Sequence, residues 1–289
     1  MFRQTLVAAT VAVTLQSAAA ADTPPLQVQV YNAPAQSFHV NAVVVSGASE
    51  ALVIDTGFSR ADAYRIAANV LDTGKTLKTI LVSNADPDYY FGAETLKAVF
   101  PQAQVVATPA VREKIQAKMS AKLGFWGPKM GANAPTAPVL PQALSGSSLS
   151  VDGQTVEIRG TTGPLAHRPY VWIPSISAVV GNVAVFGRLH VWTADTQRLE
   201  ERQAWLAQLD ELAALKPTLV VPGHMAANTP LDASSIRYTR DYLQRFDAEA
   251  ARAADAKALI DAMKAAYPDA GLGVALDIGA KVRKGEMAW

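Results

Sequence analysis

Short apolar runs divided by turn residues open the chain. Leu26 to Tyr31, Phe38 to Val45 and Ala51 to Ile54 read as strands, separated by Asn32, Pro34, Gly47 and Ser49. The period then changes: Tyr64, Ile66, Ala67, Val70 and Leu71 recur at helical intervals between Arg60 and Leu71, and Lys78 to Val82 returns to a buried strand. A helix over Ala93 to Val99, a strand around Val105 and a helix over Ala110 to Leu123 continue the alternation, with Pro109 fitting the first turn of the last. Between Gly124 and Gly146, Pro128, Pro135, Pro138 and Pro141 break any helical pattern, which predicts a long surface loop placed to cover a site. Trp126 in that stretch is expected either to pack inward or to meet a ligand.

The second half repeats the layout. Strands near Ser148 to Ile158, Tyr170 to Ile173 and Ala178 to Val183 precede a helix over Arg198 to Leu215, ended by Lys216 and Pro217. A strand over Thr218 to Val221 runs into Pro222-Gly223-His224, and one long alanine-rich helix is expected over Ala233 to Ala266. In it Ile236, Tyr242, Leu243, Phe246, Ala250 and Ala253 mark a packed face. Two similar halves of alternating strands and helices predict an α/β fold. No Gly/Ser-rich linker divides them, so residues 22–289 are expected to form a single domain with a C-terminal helical extension.

Composition narrows the partners. A balance of 26 basic against 25 acidic residues, a formal charge of +1, supplies no field that would gather nucleic acid or an anionic membrane. Cysteine is absent, so a metal would be held by His, Asp, Glu, amide or water. Arg3, the apolar stretch Thr5 to Leu15 and the small residues Ser17 to Ala21 read as a secretory signal over residues 1–21. That stretch falls short of the ~20 residues that span a bilayer. The mature chain is therefore expected in the periplasm or outside the cell, with no stable membrane insertion after cleavage. Serine-hydrolase elbows, Walker loops and dinucleotide fingerprints are all missing.

The most informative segment is Thr79-Ile80-Leu81-Val82-Ser83-Asn84-Ala85-Asp86-Pro87-Asp88-Tyr89-Tyr90-Phe91-Gly92, a hydrophobic strand that delivers a polar loop into a helix. Strand ends of this kind are where α/β folds put ligands. The segment resembles the signature of the metallo-β-lactamase superfamily, in which a strand precedes His-x-His-x-Asp-His and a glycine opens the next helix. Asp55-Thr56-Gly57, Gly181-Asn182 and Val221-Pro222-Gly223-His224 follow the family's order, so the resemblance runs from Val40 to about Asn228. It implies a four-layer αββα sandwich with the site at one edge of two sheets. It also implies a metal-bound hydroxide that attacks a small ester, lactone, amide or thioester.

Carried over residue by residue, Asp88 and His224 keep the family's ligand types. Asn84, Asp86 and Tyr89 stand where histidines would be, and Asn182 stands where an aspartate would bridge two metals. His167 is a candidate for the remaining histidine. The resulting set, Asp86, Asp88, His167 and His224 with Asn84 and Asn182 as weak oxygen donors, suits one divalent metal (zinc, manganese or iron) better than two. The alternative is no metal, with Asp86 and Asp88 merely capping the following helix. Asp88 and Tyr89 are the candidate catalytic residues, the Tyr89 phenol as a hydrogen-bond donor to an oxyanion or as a general acid. Trp126 and Trp192 are candidate small-molecule contacts; the spacing of His190-Val191-Trp192-Thr193-Ala194-Asp195 suits a pocket wall, and the favoured alternative has Trp192 filling the core with His190 and Asp195 hydrogen-bonded at its ends. Asp55 is expected to brace the motif loop, and His39, alone in a strand, to be structural. Two functions follow: a hydrolase with an altered metal site, or an inactive relative that binds a small molecule in the old cleft.

Overall fold

The computed structural model describes residues 24–289; the expected signal sequence lies outside them. The first half runs β1 (Gln27–Asn32), β2 (Asn41–Ser46), β3 (Glu50–Ile54), α1 (Arg60–Thr73), β4 (Thr76–Leu81), α2 (Pro87–Tyr90), α3 (Ala93–Val99), β5 (Gln104–Ala107), α4 (Pro109–Met130) and β6 (Gln142–Ala143). Its six strands form one sheet in the order β1-β2-β3-β4-β5-β6, antiparallel up to β3 and parallel from β3 onward.

The second half runs β7 (Ser148–Val151), β8 (Gln154–Arg159), β9 (Tyr170–Ile173), β10 (Ala178–Val180), β11 (Phe186–Gly187), α5 (Leu199–Ala214), β12 (Leu219–Val220), β13 (His224–Met225), α6 (Ser234–Arg252), α7 (Ala256–Ala266) and α8 (Gly273–Arg283). A second sheet has the order β12-β10-β9-β8-β7, and β11 pairs with β13 beside it.

Side-chain alternation builds the layers. In β2, Val43 and Val45 turn toward the second sheet while Ala42 and Val44 face α1; Leu52 and Ile54 against Ala51 and Val53 do the same in β3. In the second sheet, Val171, Ile173 and Val180 meet them, while Tyr170, Trp172 and Val179 point to the helices of the second half. Three apolar layers result, one between the sheets and one under each helical face, which is the αββα sandwich the resemblance implied.

Four local expectations are corrected. Phe38 and His39 are not strand: both have left-handed backbones, φ 57° and 56°, and the strand starts at Asn41. Asp152 and Gly153, with φ 47° and 77°, turn the stretch from Ser148 into a hairpin, as Asp-Gly commonly does. Helix α4 runs past Gly124 to Met130, so the expected loop shrinks to 131–141; Pro128 sits in its last turn. The single long helix is two, because the Asp255 side chain accepts the Ala258 N–H at 2.8 Å and starts a new N-terminus after an extended Ala253. Helix α8 had no counterpart in the sequence reading. No helix among the described residues is long and apolar enough to cross a membrane.

Candidate functional site

The motif loop is fixed by the turn after β3. Thr56 donates its N–H and its hydroxyl to the Tyr89 carbonyl, each at 2.9 Å, and Gly92 N–H bonds the Gly57 carbonyl at 3.1 Å. Asp55, with φ 63°, accepts from Ser83 N–H at 2.7 Å and pairs with its hydroxyl at 2.7 Å. This is the bracing role expected of it. Gly92 is obligatory, since a Cβ there would run into the Thr56 carbonyl oxygen.

The loop presents Asp88 to His224, with Asp88 Oδ2 3.6 Å from His224 Nε2. Phe38 O lies 2.9 Å from His224 Nδ1; a carbonyl only accepts, so Nδ1 carries the proton and Nε2 offers its lone pair toward Asp88. Phe186 stacks on the imidazole at 5.0 Å and Tyr89 meets it edge-on at 5.6 Å. Burial pushes the His224 pKa down to about 4, and burial followed by the charge of Asp86 pushes that of Asp88 well up.

The remaining family positions are committed elsewhere. Asn84 Oδ1 accepts the Asp86 N–H at 3.0 Å. Asn182 is used at both ends, its amide donating to the Val221 carbonyl at 3.0 Å and its oxygen accepting the Val185 N–H at 2.9 Å. The Tyr89 hydroxyl is fully buried and donates to the Asn182 carbonyl at 3.3 Å. Burial, and then the charge of Asp88, raise its pKa, opposite to what a general acid needs. Asp86 stands at the N-cap of α2 without making a capping bond; its carboxylate lies 3.8 Å from Lys122 Nζ instead. His167 stays apart, its buried Nε2 without a partner and its pKa pushed down to about 4 by burial and then by Lys114.

Superfamily members usually bind divalent metals. Here Asp88 and His224 are two suitable donors, and no third His, Asp or Glu among the described residues joins them in a group able to hold an ion. The four-ligand set read from sequence is therefore not assembled, because Asp86 is drawn to Lys122 and His167 lies elsewhere. Two donors do not fit a resident metal.

What the pair does face is a cavity of about 310 Å³. Phe38, Phe58, Trp126 and Trp192 form one wall, with Phe38 at its centre: its ring lies 5.3 Å from Phe58, 5.4 Å from Trp126 and 6.5 Å from Trp192. Trp126 and Trp192 thus both border the cavity. His190 instead bonds the Tyr242 hydroxyl at 3.0 Å in the core.

Asp195, in a stretch whose spacing suits a pocket wall, also borders the cavity, whereas Lys118, Lys122, Arg168 and Trp289 were missed in the sequence. Part of this group had a signal, since Lys114, Lys118 and Lys122 repeat every four residues along one face of α4. Arg168 had none beyond its place beside His167.

The model of the metallo-beta-lactamase superfamily matches residues 36–224. Among solved structures, a metallo-beta-lactamase family protein from Thermus thermophilus superposes with a TM-score of 0.64 at 19% identity, over 92% of this chain and 95% of that one. A metallo-beta-lactamase from Pontibacter korlensis superposes with a TM-score of 0.54 at 17% identity, over 76% and 95%. The search of curated proteins finds no match. Since the matched span holds the second sheet, all of the first but its edge strand β1, the motif loop and His224, the chain belongs to the metallo-β-lactamase superfamily.

Proposed function

We propose that this chain uses the superfamily's edge cleft to bind a small organic molecule and does not run metal-dependent hydrolysis. One observation carries the reading: the side-chain oxygens of Asn84 and Asn182 and the Tyr89 hydroxyl are engaged inside the protein, while the cleft beside them is walled by aromatic rings. A concave, mostly apolar pocket with a few polar groups at its edge is what small-molecule recognition needs. Export to the periplasm belongs to the same reading, supported by the run from Arg3 to Ala21.

The competing reading is a hydrolase with an altered metal site. His224 favours it, because an imidazole that donates Nδ1–H to a carbonyl and presents Nε2 is posed as metal-ligating histidines are. Elemental mass spectrometry of the mature protein, with Asp88→Ala and His224→Ala beside it, decides between them. Sub-stoichiometric metal, unchanged in both variants, is the expected result. One equivalent of metal lost in both variants overturns the binding reading.

A further inference from the structure

Arg168 is buried at 4% exposure in the strip that leads into β9, and it borders the cavity. Its guanidinium lies 4.3 Å from the centre of the Trp205 ring, and Nη2 donates to the Val183 carbonyl at 3.4 Å. Nη1 is buried and has no hydrogen-bond partner. An unpaired donor on a buried permanent cation is costly to leave unmet, so such groups are rare without a partner.

The other charges of the wall differ from it. Of the acids, Asp86 lies 3.8 Å from the Lys122 Nζ cation, whereas Asp88 lies 3.6 Å from the neutral His224 Nε2 and Asp195 accepts from the neutral Trp289 Nε1–H at 2.8 Å. Among the described residues neither Arg168 nor Lys118 makes an ion pair, although both border the cavity. Three acids and three bases line the pocket, and the buried donor left without any partner is on one of the bases, Arg168, with Lys118 as a second unpaired cation beside an aromatic wall.

We infer that the cavity takes an organic anion, a single carboxylate-like head group bound at Arg168 with Lys118 nearby, carrying an apolar body of ring size against Phe38, Phe58 and Trp126. This rests on the binding reading above and adds the ligand's chemical class. Arginine suits the role because its planar fork matches a carboxylate and keeps its charge when buried.

The test compares three ligands of one shape: 4-phenylbutyrate, 4-phenylbutyramide and 4-phenylbutylamine, titrated calorimetrically into the full chain at low and high salt. The carboxylate is expected to bind about tenfold tighter than the amide, with the amine weakest, and the preference is expected to shrink as salt rises. In Arg168→Met the carboxylate and the amide are expected to bind alike. Should that variant not fold, Lys118→Ala on the exposed face of α4 serves in its place, weakening the carboxylate about threefold and leaving the amide unchanged. Equal binding of all three, or preference for the amine, overturns the anion inference and leaves the cleft a neutral pocket. Failure of all three to bind overturns the binding reading as well.

Discussion

Asp55 is a carboxyl whose protonation the fold favours far into the neutral pH range, and replacing it probes one proton of the folding equilibrium. It is 2% exposed, and among the described residues only Ser83 bonds its carboxyl, through its N–H and its hydroxyl. Burial pushes its pKa up to about 7, with the two Ser83 contacts pulling the other way. In an unfolded chain an aspartate titrates near ~3.9. Between those values the native state binds more protons than the unfolded state, so stability falls as pH rises. The contribution is whole below about pH 4 and has gone once the pH passes about 7, a total of roughly 4 kcal/mol at about 1.4 kcal/mol per pH unit.

Asp55→Asn removes the titration and keeps the shape. The amide oxygen still accepts the Ser83 N–H, the amide nitrogen donates to the Ser83 hydroxyl, and asparagine tolerates the φ of 63° found here. Urea unfolding of both proteins across the pH range gives the difference, in which titrating groups that do not feel the Asp55 charge cancel. Between about pH 5 and about pH 8 the wild type is expected to lose roughly 2.5 kcal/mol relative to Asp55→Asn. Stability curves that run parallel in pH would refute the claim that the fold favours protonation of this carboxyl.

Three further outcomes follow from contacts already described. Gly92→Ala places a methyl against the Thr56 carbonyl and should cost about 3 kcal/mol or abolish soluble expression, read by thermal unfolding. Asn182→Asp removes the donor to the Val221 carbonyl and buries a carboxylate, for a loss of roughly 2–3 kcal/mol by urea unfolding; an unchanged midpoint would mean the side chain is not committed as described. Adding Asn84→His and Tyr89→His to that variant should make its melting temperature rise with zinc, whereas the wild-type protein should show no such rise; equal response in both would place a metal site in the natural chain.

The sequence was most legible where backbone and apolar pattern decide the outcome. The order of the landmarks Asp55-Thr56-Gly57, Gly181-Asn182 and Val221-Pro222-Gly223-His224 led to the αββα architecture, and the helix over Ala93–Val99 has the predicted bounds. It was least legible where a side chain had a choice of partners. Asp86 is a candidate ligand in sequence, but Lys122, on an element far along the chain, takes its carboxylate. His167 follows the spacing of a ligand only loosely, and the fold leaves it apart from Asp88 and His224. Arg168 gave no warning because its meaning depends on what fails to meet Nη1, and an absent partner leaves no trace in a linear pattern.

The cavity lies on a seam. His224 belongs to the second half, yet the Phe38 carbonyl that orients its ring comes from the first, and the Asn41 N–H bonds the Gly223 carbonyl at 2.8 Å while the Met225 N–H bonds that of His39 at 3.1 Å. Cutting the backbone near Ser145, between the sheets, would therefore yield two pieces neither of which contains a complete pocket. Ligand capture by the recombined pieces would serve as a direct gauge of whether the halves have docked in register.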